Sequence, residues 1–517
     1  MIRLPGPARS ALAPLAGVLL ALAYPRPGWG PLVVPGAALF LALAVTAPPR
    51  RALGEGWLAG TVFFGLLLRW FGFVLLVYTP LSGLTVLAAV LLSGALEGIG
   101  TGLLAWVLAR LSRRIGPGRA LAAAPVLWVA LEWSREALPF PFPWGSAGVA
   151  LATVPGGLAA ARLVGGAGLG LLGVSWASAF AAPLAGVRPR GRVLAVLAVG
   201  TVLAGIGGNL LPGPAGREVT VAVVQGSVPE ERGALARLST YEALTRRAAG
   251  RGAELVAWPE SAVPWRIDGS PGFRARVEAL ARELGIDLVL GSVTAAPGGG
   301  RHNSAVLVRA DRGLAGIAPK RRLVPFGEYL PLRPVFGDIP AIAAEAGDFV
   351  PGTGAVLLPS RAGLLGPLVC YELVFPGIAL ELARSGAELL VNLTNDTWFG
   401  ESSGPLQHSA HARLRAAETG RPLLRAANSG ISLLVDGTGR LRGRLGTGER
   451  GVLVARLRAG RGVPVGGLVA RGLEAGCATL AAVALLVAAI PGRGPRWPTG
   501  AGSAPRPGNG KDGTDDA

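Results

Sequence analysis

Cysteine is nearly missing from this sequence: of 517 residues, only Cys370 and Cys477 carry a thiol. Two thiols cannot build a disulfide framework for a chain of this size, so stability has to come from burial. Acidic residues are also scarce, 31 Asp+Glu against 50 Lys+Arg, giving a net charge of +19. Such an excess invites a nucleic-acid partner, yet 51% of the residues are apolar and the mean hydropathy is +0.48, which points toward lipid instead. That apolar content also excludes a disordered chain. Only three histidines occur. His408 and His411 stand three apart on an expected helix with no third ligand nearby, and His302 lies in a turn-like stretch, so no metal site is expected.

What the chain does have is a succession of apolar runs at 10–25, 30–46, 57–78, 85–108, 121–137, 163–184 and 193–211, with an eighth at 472–490. Most approach the roughly 20 residues a helix needs to cross the hydrocarbon core, so the expected architecture is a polytopic α-helical bundle of eight spans. Arginines mark alternate loops: Arg3 and Arg9, then Arg50 and Arg51, then Arg110, Arg113, Arg114 and Arg119, then Arg188, Arg190 and Arg192. By the positive-inside rule the N-terminus is cytoplasmic, and seven crossings place the segment after residue 211 outside. Residues 217–458 hold 29 basic and 23 acidic residues, leaving 21 and 8 elsewhere. Most of the excess charge is therefore a topology signal, and no nucleic-acid partner is expected. Arg69, Glu97, Glu132 and Arg135 fall in or beside apolar runs, where a charge must pair or line a wet cavity. A lipid-headgroup site is one reading of these charges, and a structural pair, for example Glu132 with Arg135 one turn on, is the other.

Between 217 and 458 the texture changes to strand-like runs at 218–225, 254–258, 287–293, 304–309, 367–371, 388–393 and 431–435, separated in places by amphipathic stretches at 233–247, 272–284 and 406–418. This alternation predicts an extracytoplasmic α/β domain with a covered sheet. It contains one cysteine, Cys370, at the end of the run 367–371. An unpaired thiol on the oxidising side of a membrane is a liability unless it is buried or used. Cys477, in an apolar helix, reads as a small buried hydrophobe.

Two segments give Cys370 chemical company. Glu260 follows the run 254–258 within Trp258-Pro-Glu260-Ser-Ala-Val-Pro264, and Lys320 and Glu328 share a segment punctuated by Pro and Gly. A thiol nucleophile needs a base to take its proton and a cation or N–H donors to hold an oxyanion. Glu260, Lys320 and Cys370 at three strand ends would supply that set.

A Glu–Lys–Cys set in these settings resembles the nitrilase superfamily, whose fold is an α-β-β-α sandwich. The strings WPESAVP, KRRLVPFGEYLP, VCYELVFP and NLTNDTWFG, then SSGPLQHSAHARLRAAETGRPLLRAANSGIS, flanked by membrane helices, resemble the apolipoprotein N-acyltransferases. So does Glu132-Trp133…Arg135…Pro141-Phe-Pro-Trp144. The resemblance spans nearly the whole chain and fits a division into a seven-span membrane domain at 1–212, a nitrilase-like catalytic domain at 217–458, an eighth span at 466–491 and a disordered cytoplasmic tail at 492–517.

Residue by residue, the resemblance implies Cys370 as nucleophile, Glu260 as general base and Lys320 as the oxyanion cation, with Glu328, Glu372 and Tyr371 in support. It implies that an acyl chain passes from a phospholipid donor to Cys370 as a thioester, and then to the α-amine of a diacylglyceryl-cysteine apolipoprotein, with no cofactor. The implied location is the bacterial inner membrane, with the catalytic domain periplasmic. Trp265, Phe326, Tyr329, Trp398 and Phe399 are candidates for gripping acyl chains and keeping water from the thioester. Ala318 and Arg322 depart from the family pattern, which has an aromatic and a histidine there. The rival readings are a membrane-anchored nitrilase-type amide hydrolase and a lipid or lipoprotein carrier without turnover.

Overall fold

The computed structural model describes residues 6–188, 191–330 and 349–489; the tail expected at 492–517 lies outside them. Every apolar run is helical: α1 (Gly6–Leu22), α2 (Val33–Thr46), α3 (Pro49–Leu67), α4 (Arg69–Tyr78), α5 (Gly83–Ile115), α6 (Pro117–Ala137), the short α7 (Ala147–Leu151), α8 (Gly157–Leu184) and α9 (Gly191–Leu210). Near the C-terminus comes α14 (Val465–Ala489). Among the described residues α5, α8, α9 and α14 are long and apolar enough to cross a bilayer. The run expected as one span at 57–78 is a pair of helices, α3 and α4, bent by 52°. Helix α6 interrupts its apolar run with Glu132, Arg135 and Glu136. Leu84, Leu92, Val196, Leu210 and Leu486 project outward. In water such faces would cost about 25 cal/mol per Å², whereas hydrocarbon accepts them.

Glycine spacing decides how α3 and α5 meet. Gly56 and Gly60 on one helix face Gly94, Gly98 and Gly102 on the other, four residues apart, so the backbones approach as small-residue crossings in membranes do. The Thr101 hydroxyl donates across the seam to the Gly56 carbonyl at 3.0 Å.

The Glu132–Arg135 pair does not form. Glu132 accepts from Trp128 Nε1 and from the Ala147 N–H, both at 2.8 Å. Arg135 donates to the Trp144 carbonyl at 2.6 Å and lies over the Phe64 ring. The chain after α6 turns back here, and its loop supplies closer partners than one turn of helix does.

Among its described residues the α/β region has twelve strands: β1 (Glu218–Gln225), β2 (Leu255–Ala257), β3 (Asp287–Ala295), β4 (Arg301–Arg309), β5 (Gly313–Pro319), β6 (Leu358–Ser360), β7 (Gly363–Val369), β8 (Leu389–Thr394), β9 (Leu423–Ala427), β10 (Ser432–Val435), β11 (Leu441–Leu445) and β12 (Gly451–Arg458). They form two six-stranded sheets, ordered β12-β1-β2-β3-β4-β5 and β11-β10-β9-β8-β7-β6. Val221, Val223, Leu255, Val289 and Leu307 of the first meet Leu365, Val391, Leu393 and Leu424 of the second. Strands buried on both faces need such continuous apolar runs. Helices α10 (Gly233–Ala249) and α11 (Pro271–Leu284) cover the first sheet through Leu238, Tyr241, Val277 and Leu280. Helices α12 (Pro376–Arg384) and α13 (Gly404–Thr419) cover the second, completing a nitrilase-like α-β-β-α sandwich.

Helix α13 has a second partner, α8. It is therefore both the outer layer of the sandwich and its seam with the membrane helices. Two helix breaks open backbone groups along that seam, and α13 satisfies both. Gly165, at φ +65°, interrupts α8, and the freed Gly166 N–H donates to Glu418 at 2.5 Å. Near the α3–α4 bend, the Leu67 carbonyl accepts from Gln407 at 3.1 Å. Unpartnered backbone buried in such a seam would cost several kcal/mol.

Gly98→Ala would bring a Cβ within 2.9 Å of the Thr61 N and the Trp57 O, so α3 and α5 must part. Overpacking of this kind costs roughly 1–3 kcal/mol. Thermal unfolding of the detergent-solubilised protein is expected to move down for Gly98→Ala and not for Gly54→Ala, where the added Cβ meets nothing.

Candidate active site

Three strand ends converge between the sheets. Glu260 lies three residues beyond β2, Lys320 directly follows β5, and Cys370 directly follows β7. The strand ends at Val369, one residue before the cysteine and two short of the expected boundary. Cys370 starts a tight 3-10 turn and takes φ +51°, a left-handed conformation rare for a residue with a side chain. Such strain persists where surrounding contacts enforce it. Gly291 on β3 is required for the approach of Glu260, because a Cβ there would overlap the Glu260 Cα.

Lys320 is 1% exposed, and its ammonium has two carboxylates as company. Glu328 Oε2 is 2.7 Å from Nζ and Glu260 Oε1 is 3.8 Å away. Burial alone would strip the proton from a lysine, but Glu328 and Glu260 outweigh it and hold the Lys320 pKa above its ordinary value. Lys320 therefore stays a cation and cannot serve as base. Glu260 runs the opposite way: burial pushes its pKa up, Lys320 pulls it down and Glu328 pushes it up again, leaving it raised. A carboxylate poised nearer neutrality is a better proton acceptor.

Asn303 holds the two carboxylates in register. Its Nδ2 donates to Glu260 Oε1 at 2.6 Å and to Glu328 Oε1 at 2.8 Å. The second oxygen of Glu260 accepts the Asn395 N–H at 2.7 Å. Sequence reasoning passed over Asn303 and Asn395. The available signal was the polar run His302-Asn303-Ser304 within a strand otherwise buried and apolar. The Cys370 thiol is only partly exposed, and burial, reinforced by Glu260 and opposed by Lys320, raises its pKa. At rest it is a neutral thiol that needs a base.

The supporting residues divide by role. Glu328 pairs with Lys320 and also accepts the Val324 N–H at 2.8 Å. Glu372 touches neither Lys320 nor Glu260. It accepts the Val369 N–H at 2.8 Å and the Arg321 N–H at 2.7 Å, tying the backbone before Cys370 to that after Lys320. Tyr371 donates to the Pro141 carbonyl at 3.0 Å and stacks on Phe142, so the residue after Cys370 rests on the loop that follows α6.

The five aromatic candidates also separate. Trp265 packs on Phe273 in the core beneath α11. Phe326 is half exposed, at φ +64°, in the turn between Lys320 and Glu328, with Tyr329 beside it. Trp398 lies against Tyr78, and Phe399 against Trp70, both on α4. Ala318 is buried between the sheets and the Arg322 guanidinium stands over the Phe375 ring. His302 donates to or accepts from nothing in the carboxylate cluster; its Nδ1 lies 2.7 Å from the Val350 carbonyl. Among the described residues, no group of three or more His, Cys, Asp or Glu could hold a metal ion.

Residues 220–463 match the carbon-nitrogen hydrolase family, and residues 16–179 match the apolipoprotein N-acyltransferase N-terminal domain. The chain is 33% identical to the apolipoprotein N-acyltransferase of Geobacter metallireducens over 497 residues, which cover 92% of this chain and 94% of the relative. This chain belongs to the apolipoprotein N-acyltransferase family. The Azotobacter vinelandii member is 34% identical over 486 residues, 89% of this chain and 91% of the relative. Among solved structures, an amidase of the nitrilase superfamily from Nesterenkonia AN1 is 27% identical. It covers 48% of this N-acyltransferase family member and 93% of its own chain, with a TM-score of 0.37.

Glu260→Gln is expected to slow acylation of Cys370 by about 10²–10⁴-fold, the usual contribution of a positioned base. With Glu260 as the base, the wild-type rate is expected to fall as pH drops through its raised pKa, so the acid limb should lie above the roughly 4.3 of an ordinary glutamate. Glu328→Gln removes a negative neighbour that raises that value. The acid limb of the pH–rate profile should therefore move to lower pH.

Proposed function

We propose that this chain is a phospholipid-dependent N-acyltransferase of the bacterial inner membrane, acting on the N-terminal α-amine of diacylglyceryl-cysteine apolipoproteins. Cys370 is the nucleophile, Glu260 the base and Lys320 the oxyanion cation. The observation that carries the reading is a lysine kept charged between Glu260 and Glu328, next to a neutral thiol, at strand ends that meet the loop after α6.

The steps follow from these protonation states. Glu260 takes the thiol proton as sulfur attacks the donor ester carbonyl, and Lys320 meets the charge that develops on oxygen. Collapse forms the thioester and expels the lysophospholipid alkoxide, which takes the proton back from Glu260. The lipoprotein amine then attacks the thioester and gives its proton to Glu260, and the departing thiolate is reprotonated. An ester is exchanged for a thioester and then for an amide, the most stable of the three. Both substrates carry acyl chains in the bilayer, so the centre has to sit at the membrane surface.

The proposed topology has eight spans: α1, α2, the bent α3–α4 pair, α5, α6, α8, α9 and α14, with both termini cytoplasmic and the sandwich periplasmic. What supports it is the alternation of arginine-rich loops with arginine-poor ones. On this reading 1–212, 217–458 and 466–491 are the first membrane part, the catalytic domain and the last span.

Intact-protein mass spectrometry after incubation with phospholipid should show one fatty acyl thioester on Cys370, and none on Cys370→Ala. Adding a diacylated lipopeptide should discharge it as N-acylated peptide. Release of free fatty acid in place of that product would make the protein a hydrolase, and activity in Cys370→Ala would sink the mechanism.

A further inference from the structure

Beside the Cys370 backbone lies a second set of buried polar groups that the mechanism above does not use. Asn392 of β8, His408 of α13 and Arg425 of β9 are at most 1% exposed, as is Asp396 in the turn after β8. Desolvating an arginine, an aspartate and a histidine together is expensive, and an apolar cluster of the same volume would be cheaper. The set therefore calls for a reason beyond filling space.

Its hydrogen bonds converge on one atom. The Cys370 carbonyl lies 3.2 Å from His408 Nε2 and 3.2 Å from Asn392 Nδ2. A carbonyl only accepts, so Nε2 of His408 carries its hydrogen. The other ring nitrogen, Nδ1, carries no hydrogen in this tautomer and accepts from Arg425 Nη2 at 3.1 Å, which fixes the rotation of the ring; Asp396 Oδ1 stands 3.0 Å away and acts on the ring by holding Arg425. Arg425 in turn donates to Asp396 Oδ2 at 2.5 Å, to Asn392 Oδ1, and to the Ile431 carbonyl at 3.1 Å. Trp144 and Phe399 flank the imidazole and close it off. Burial, then Arg425, hold the His408 pKa below the ordinary imidazole range, so at neutral pH the ring is an uncharged donor rather than an acid–base group.

We propose that His408, braced by Arg425, which Asp396 holds in turn, is a positioning residue for the acyl transfer: it holds the Cys370 carbonyl and with it the strained backbone that aims the thiol at Glu260. The inference rests on Cys370 being the nucleophile. A residue at φ +51° is costly by about 1–3 kcal/mol unless its surroundings over-determine it, and two donors on its carbonyl do so. The peptide is planar, so fixing that carbonyl also fixes the direction of the Tyr371 N–H. Asp396 and Arg425 do not reach the carbonyl themselves. Their part is to keep the imidazole from turning away.

The test uses the full-length protein in detergent as wild type, His408→Leu, His408→Gln and Cys370→Ala. Single-turnover thioester formation, Cys370 alkylation by iodoacetamide, and kcat and KM toward a diacylated lipopeptide are measured for each. His408→Leu fills the site without a donor and should slow thioester formation by about 10²-fold, the order expected for an Å-scale misplacement, with KM within about twofold. Alkylation should change in parallel. His408→Gln can return an N–H to the carbonyl and should recover to within about tenfold of wild type.

A folded His408→Leu with wild-type kcat overturns the proposal, and so do equal losses in Leu and Gln accompanied by a rising KM, which would report packing alone. Where His408→Leu does not fold, His408→Gln decides: near-wild-type rates uphold the proposal, and rates as low as Cys370→Ala overturn it. Full activity in Cys370→Ala would instead remove the nucleophile assignment, whatever His408 does.

Discussion

One buried cation organises the catalytic end of the sandwich. Lys320 has lost nearly all contact with water, and a lone ammonium there would be untenable, so Glu328 at 2.7 Å and Glu260 at 3.8 Å are obligatory company. Two carboxylates around one ammonium leave an excess negative charge. Burial, working against Lys320, keeps the Cys370 proton on sulfur and raises Glu260 toward useful basicity, and the excess reinforces it, Glu260 acting on the thiol and Glu328 on Glu260. The arrangement can exist only where several backbones end together. Asn303 bridges the carboxylates from β4, and Glu372 ties the chain before Cys370 to the chain after Lys320. The chemistry is thus a by-product of how a sheet pair compensates a charge at its strand ends.

The same dependence on compensation joins the sandwich to the helices. Helix α13 is polar in composition yet buried along most of its length, because it lies between a sheet and the membrane bundle. Its polar side chains are not stray. Gln407 and Glu418 meet backbone groups at two interruptions in the apolar helices, and His408, between them in sequence, faces Cys370. Trp70 of α4 packs against both Trp144 and Phe399, so an aromatic layer joins the bent helix to the turn beyond β8.

Much of this was legible in the residues. Apolar runs near twenty residues long marked the helices, because lipid imposes that length, and strands buried on both faces announced themselves as continuous Val, Leu and Ile. Strands β5, β6, β9, β11 and β12 were not anticipated. Three residues of β6 carry no pattern, β9 holds Arg425 at its centre, and β11 and β12 expose arginines on outer strands. Glu260, Lys320 and Cys370 were legible as strand-end residues in Pro-rich contexts, and the structure brings them together. Asn303, Asp396, His408 and Arg425 were not, since their partners lie up to 43 residues away in sequence and only the paired sheets make them neighbours. The Glu132–Arg135 pairing failed for a related reason: helical spacing is a local rule, and the returning loop at Trp144 and Ala147 offered nearer partners.

Strand order adds a constraint that spacing along the chain does not reveal. β12 pairs antiparallel with β1 over their whole lengths, Glu218 opposite Arg458, and the Gly216 N–H donates to the Ala459 carbonyl at 2.8 Å. The chain therefore enters and leaves the sandwich at the same place, directly after α9 and directly before α14. A domain tethered at one point could swing. Here the two tethers are held side by side while α13, Tyr371 and Trp398 make contact elsewhere on the helices. Two separated regions of attachment fix the orientation of a rigid body against rotation about either. The strand ends that carry Glu260, Lys320 and Cys370 are consequently presented to the helices in one attitude. The proposed acyl transfer between two membrane-held substrates demands that attitude, because neither substrate can travel to find a reactive thiol that points away.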